Sequence, residues 1–157
     1  MDISRRFVLG LATGGYVGYI PIAPGTFGSL IGVIAFWPLS FLELPLILFI
    51  MAIFAVVAVW VAHEAESILQ VADPGQVVID EIIGMMAALV ALPALPLIWV
   101  AGFFLFRFFD ILKPFPIGYL EKRCPGGLGI VIDDIIAGIA ANLLLRLALF
   151  LIGPAVF

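Results

Sequence analysis

The chain has 157 residues, 65% of them hydrophobic and 11% charged, with a mean hydropathy of +1.32. A soluble domain carries roughly 45–50% apolar and about 25% charged residues, so this composition excludes a water-exposed globule and predicts an integral membrane protein. The net charge of −4 argues against a nucleic-acid partner, and the single cysteine, Cys124, excludes an internal disulfide.

Arg5 and Arg6 ahead of the apolar stretch 7–19 imitate an export signal. Gly10, Gly14, Gly15 and Gly18 interrupt that stretch, however, and no small-residue cleavage site follows. Residues 1–26 therefore read as a basic interfacial or re-entrant segment, and 27–157 as a helical bundle in the same single domain. A turn-rich loop, PIAPGTFGS at 21–29, places Thr26 or Ser29 to cap a first helix over 27–42. A second helix runs from 45 past Trp60 and turns polar at His63, Glu64 and Glu66. After the Asp73-Pro74-Gly75 loop, a third helix covers 77–92, with Asp80 and Glu81 in its first turns. The fourth covers 97–112 and ends in Arg107, Asp110 and Lys113, spaced three apart so that they share one helix edge. Pro114 and Pro116 stop it. A short interfacial helix at 119–123, with Glu121, Lys122 and Arg123 in water, and a glycine-rich loop at 124–129 lead to a fifth long helix over 130–152, opening with Asp133 and Asp134.

Short turns make successive helices alternate in direction. Thr26/Ser29, His63/Glu64, Asp80/Glu81, Arg107/Asp110/Lys113 and Asp133/Asp134 then all fall at one face of the membrane. Arg5, Arg6, Lys113, Lys122 and Arg123 belong to the same face, which marks it as cytoplasmic. Arg146 lies near the far leaflet, placed to snorkel. The expected fold is thus all-α, a polytopic membrane bundle of about five helices with its site at the cytoplasmic face.

Carboxylates near helix N-termini gain about 0.3–1 kcal/mol from the macrodipole, which by itself would explain Asp80/Glu81 and Asp133/Asp134. Glu64 and Asp110 sit near C-termini, where the same term opposes them. Together Glu64, Asp80, Glu81, Asp110, Asp133 and Asp134 outnumber Arg107 and Lys113, and such a cluster would repel itself or protonate without cations. Oxygen ligands without thiols suit a hard ion, Mg²⁺ ahead of Zn²⁺. Arg107 and Lys113 beside it suit a phosphate dianion, with Thr26 and Ser29 as further ligands or simply caps. One histidine is too few for histidine-nucleophile lipid phosphatases, and Cys124 lacks the arginine of a cysteine-phosphatase loop. The Asp-x-Asp-x-Thr/Val and alcohol-transferase signatures are absent as well.

Four blocks carry a resemblance: PGTFGSL at 24–30, VIDEIIGM at 78–85, FRFFDILKPFPI at 106–117 and GGLGIVIDDIIAG at 126–138. Together, in this order, they resemble the phosphatidylglycerophosphatase A family of bacterial membrane phosphatases. The resemblance implies Mg²⁺-dependent hydrolysis of phosphatidylglycerophosphate to phosphatidylglycerol and phosphate at the inner (cytoplasmic) membrane. It also implies that Asp80, Glu81, Asp110, Asp133 and Asp134 serve the metal site, with Arg107 and Lys113 on the phosphate. His63 is the candidate acid for the leaving oxygen, and one carboxylate the base for water. An aspartyl-phosphate route stays open. The rival reading is a divalent-cation or proton-coupled transporter, for which acids belong at the midplane rather than at one boundary.

Overall fold

Proline, glycine and left-handed residues divide the apolar pattern into helices. The computed structural model describes residues 3–115 and 117–152 and contains α1 (Ile3–Ala12), α2 (Pro24–Leu39), α3 (Leu44–Leu69), α4 (Ile79–Leu89), α5 (Pro96–Leu112), α6 (Ile117–Arg123) and α7 (Gly127–Ile152). A 3₁₀ turn covers Val17–Tyr19. The fold is all-α, with seven helices among the described residues where about five are predicted. Pro116, predicted to help stop the fourth helix, lies outside the described residues, as do the side chains of Glu121 and Lys122.

The N-terminal segment, expected at the membrane interface, packs on the bundle. It is helical and lays Val8, Leu9 and Ala12 into the core against α3. It ends because Gly14 and Gly15 take φ of 57° and 70°, conformations glycine adopts at no steric cost. Thr13 seals the turn, donating its hydroxyl to Leu9 O at 2.7 Å and accepting the Tyr16 N–H at 3.1 Å. The Val78 N–H donates to Ala12 O at 2.9 Å, tying this turn to the start of α4.

The caps predicted for the first long helix are also corrected. α2 begins at Pro24, whose missing N–H costs nothing at N1. Its N-cap is Ala23, without a side-chain cap. Ser29 lies inside the helix and donates to Gly25 O at 2.8 Å. At the other end of the chain, α7 starts at Gly127 rather than 130, so no acid occupies its first turn. Asp133 and Asp134 are buried two turns into the helix, and the helix-dipole explanation no longer covers them.

α4 is the centre of the bundle, packed by α2, α3, α5 and α7, with every residue buried except Glu81, which is half-buried. It crosses α7 where Gly84 faces Gly138. A Cβ on Gly138 would collide with the Gly84 carbonyl oxygen, and one on Gly84 would lie 2.7 Å from Asp134 O. This approach sets Asp80 and Asp134, each four residues before its crossing glycine, side by side.

α4 is only 11 residues long, shorter than the predicted 77–92. Its last carbonyls are satisfied from α7 instead of by a longer helix. Asn142 donates to Ala88 O and Val90 O at 2.9 Å, and Arg146 donates to Val90 O and Ala91 O at 2.9 Å. Arg146 Nε also donates to Asn142 Oδ1 at 2.7 Å. The arginine expected to snorkel is thus a C-cap for α4 as well. Asn142→Leu should take the side-chain donor from Ala88 O and leave Val90 O with Arg146 alone, lowering stability by about 1–3 kcal/mol. Thermal unfolding in detergent would show a clear drop in Tm.

Two helices, α3 and α7, are each 26 residues and long and apolar enough to cross a membrane. α2 is apolar but shorter. Exposed apolar side chains point outward from both long helices: Phe49, Val56 and Trp60 on α3, and Leu143, Leu147 and Phe150 on α7.

Candidate active site

The starts of α2, α4 and α7 and the ends of α3 and α5 surround a cavity of about 480 Å³. Its walls include Asp80, Glu81, Arg107, Asp110, Lys113, Asp133 and Asp134. Glycine at position 25 allows α2 to close on this group, since a Cβ there would collide with Glu81 Oε1 and lie 3.0 Å from an Arg107 nitrogen.

The carboxylates divide into two sets. Asp80, Glu81 and Asp134 each offer an oxygen within 4.8 Å of the others. Among the described residues, Asp80 Oδ1, Glu81 Oε2 and Asp134 Oδ2 belong to the few side-chain atoms buried without a hydrogen-bond partner. Burying ionised oxygens this way is costly unless a cation compensates. The donor set is all oxygen and its geometry fits a divalent cation. The other set is paired with side-chain cations: Asp110 Oδ2 lies 2.5 Å from Arg107, and Asp133 Oδ2 lies 2.6 Å from Lys113 Nζ. Arg107 also lies 3.8 Å from Glu81 Oε1 and donates to Ser29 Oγ at 3.5 Å, linking α5 to α2 and α4. Lys113 turns toward α7 because it ends α5 in the left-handed region, φ 42°, with its N–H on Phe109 O at 2.9 Å.

Four residues predicted for the site stand off the cavity wall. Glu64 faces a separate cleft with Arg5, Trp60 and Ser67. His63 is exposed, with Nδ1 2.8 Å from where a Cβ on Gly126 would stand. Thr26 is half-buried in the first turn of α2, and buried Ser29 reaches the site only through Arg107. Conversely, Glu66, Asp73 and Cys124 line the cavity, although their sequence positions do not assign them to it. Glu66 Oε1 accepts the Asp73 N–H at 3.0 Å and so orders the loop after α3. Helical phase carries the signal for Glu66: α3 buries Ala58, Ala62 and Ala65, and a further step of four from Ala62 reaches 66.

The family model for phosphatidylglycerophosphatase A matches residues 10–149. Phosphatidylglycerophosphatase A of Escherichia coli strain K12 is 40% identical over 130 residues, covering 82% of this chain and 76% of that protein. The Haemophilus influenzae protein of the same name is 41% identical over 133 residues, covering 83% and 82%. A Bacteroides thetaiotaomicron protein, provisionally described as a phosphatidylinositol-3-phosphatase, is 36% identical over 152 residues, covering 91% and 94%. No solved structure matches the chain.

Proposed function

The chain belongs to the phosphatidylglycerophosphatase A family, and from that membership we propose that it hydrolyses phosphatidylglycerophosphate to phosphatidylglycerol and inorganic phosphate. The observation that carries this reading is the cavity itself: three buried oxygen ligands with Arg107 and Lys113 facing the same space. Asp80, Glu81 and Asp134 hold Mg²⁺, a hard cation matched to carboxylate oxygens. When bound, the cation polarises the phosphoryl group and neutralises charge on its oxygens. Arg107 and Lys113 bind the non-bridging oxygens, the first with a planar fork and the second as a point charge. Asp110 and Asp133 hold those two heads in place and share them with the incoming dianion. A cavity carboxylate takes the proton of the attacking water. His63 stands off the cavity and has no part in this scheme.

We also place the single phosphatase domain in the bacterial inner membrane as a multi-pass protein. The exposed apolar faces of α2, α3, α5 and α7 support this, since a soluble fold would bury such surface. The acids gather at one end of the bundle, whereas a transporter would hold them near the midplane. Purified protein should release phosphate from phosphatidylglycerophosphate with Mg²⁺ and lose that activity in EDTA. Metal-independent release, or none under either condition, would remove the assignment. For topology, Gln70→Cys in a Cys124→Ser background should react with impermeant maleimide only from the cytoplasmic side, and Ser40→Cys only from the opposite side. The reverse pattern would invert the bundle.

A further inference from the structure

A groove of about 590 Å³ runs along the seam between α2 and α5, lined by apolar residues alone. Leu30, Ile34 and Trp37 form one wall and Trp99, Val100 and Phe104 the other. The spacing on each helix is a single stripe, and the α5 stripe leads on to a residue of the candidate active site. One turn back from Leu30 and Val33 on α2 stand Thr26 and Ser29; one turn on from Phe103 and Phe104 on α5 stands Arg107. At that junction Arg107 donates to Ser29 across the seam at 3.5 Å. The far end is closed by aromatic rings, Trp37 and Trp99 meeting edge to face at 5.5 Å. Ser29 to Trp37 spans eight residues, about 12 Å of helix.

We infer that this seam holds an acyl chain of the phospholipid substrate, with the phosphorylated head at the Ser29–Arg107 junction and the chain running toward Trp37 and Trp99. The inference rests on the phosphatase reading and adds a tail site to it. Arg107 selects this occupant: it stands one turn beyond the apolar lining of the seam and also lines the cavity proposed to take the phosphate, so the polar end of the seam is the one nearest that site. The occupant is therefore a molecule with an anionic head and an apolar tail.

The test compares one head group on two tails: long-chain phosphatidylglycerophosphate and a short-chain, water-soluble analogue, in the same detergent. Ile34→Trp and Val100→Trp fill the seam at residues that are 71% and 52% exposed, so neither overpacks the core. Each should cut kcat/KM on the long-chain lipid about tenfold or more while leaving the short-chain value unchanged. Leu147→Trp, on the exposed face of α7, should change neither. Unchanged long-chain kinetics would mean that only bulk lipid touches the seam and would overturn the inference. Equal loss on both substrates would mean that the seam merely supports the site, and would overturn it too. A change of oligomeric state in the tryptophan variants, without a chain-length effect, would assign the seam to a second copy and overturn the tail site. A folded wild-type chain inert on both substrates would instead bring down the phosphatase reading, and the tail site with it.

Discussion

Asp80→Asn and Asp134→Asn are expected to abolish most turnover while leaving the metal-free protein as stable as the parent or more so. Asparagine keeps the size and one carbonyl oxygen but removes the charge a hard cation requires. Asp80 is in the first turn of α4, where losing the carboxylate costs about 0.3–1 kcal/mol of dipole energy. Asp134 has no such term, lying two turns into α7. Against this stands repulsion among three carboxylates whose oxygens lie within 4.8 Å, with Arg107 beside Glu81 as counter-charge. Neutralising one member relieves that repulsion. Activity should fall by orders of magnitude, and the Mg²⁺ concentration needed for residual turnover should rise. Glu64→Gln is the matched control, because Glu64 faces a different cleft and should retain full activity. Phosphate release titrated with Mg²⁺, beside thermal unfolding in EDTA, separates the alternatives. Near-parental turnover at low Mg²⁺ in both variants would end the metal assignment.

Much of the bundle is legible in the chain because hydropathy and proline mark helices without knowledge of their neighbours. Alternating helix directions then bring Asp80, Glu81, Arg107, Asp110, Lys113, Asp133 and Asp134 to one end, and they do surround one cavity. What is not legible depends on packing. Glu64 and Glu66 are both plausible ligands from composition; only the phase of α3, fixed by which alanines are buried, points Glu66 inward. Glycine discourages helix locally, which puts the expected start of α7 three residues late. Tight packing of Gly127 against the α3 backbone nevertheless holds the helix there. The apolar run of α4 continues past Leu89, and its early stop depends on Asn142 and Arg146, some fifty residues away in sequence. The division of the acids into a trio and two ion pairs is equally hidden. Sequence spacing sets Arg107 beside Asp110 but says nothing of Lys113 reaching Asp133 on α7.

Arg107→Ala should be the second severe loss, with a stability change opposite in sign to that of the aspartate variants. Arg107 pairs with Glu81 and Asp110 and donates to Ser29, with its side chain only 15% exposed. Removing it leaves two carboxylates facing each other in a cavity already rich in negative charge, and breaking such a buried pair costs about 3–5 kcal/mol at the upper end. Partial exposure of both partners places the expected loss well below that limit. For catalysis, deleting one preorganised donor to a developing phosphoryl charge typically costs roughly 10²–10³ in kcat. Arg107→Lys should recover much of the stability but little of the activity, because an ammonium restores the charge without the planar two-donor fork. The double variant Arg107→Ala/Asp110→Asn discriminates further. With its partner acid neutralised, the metal-free protein should regain stability while kcat/KM stays as low as in Arg107→Ala alone. If activity returned together with stability, Arg107 would be a structural counter-ion for Asp110 rather than a phosphate ligand.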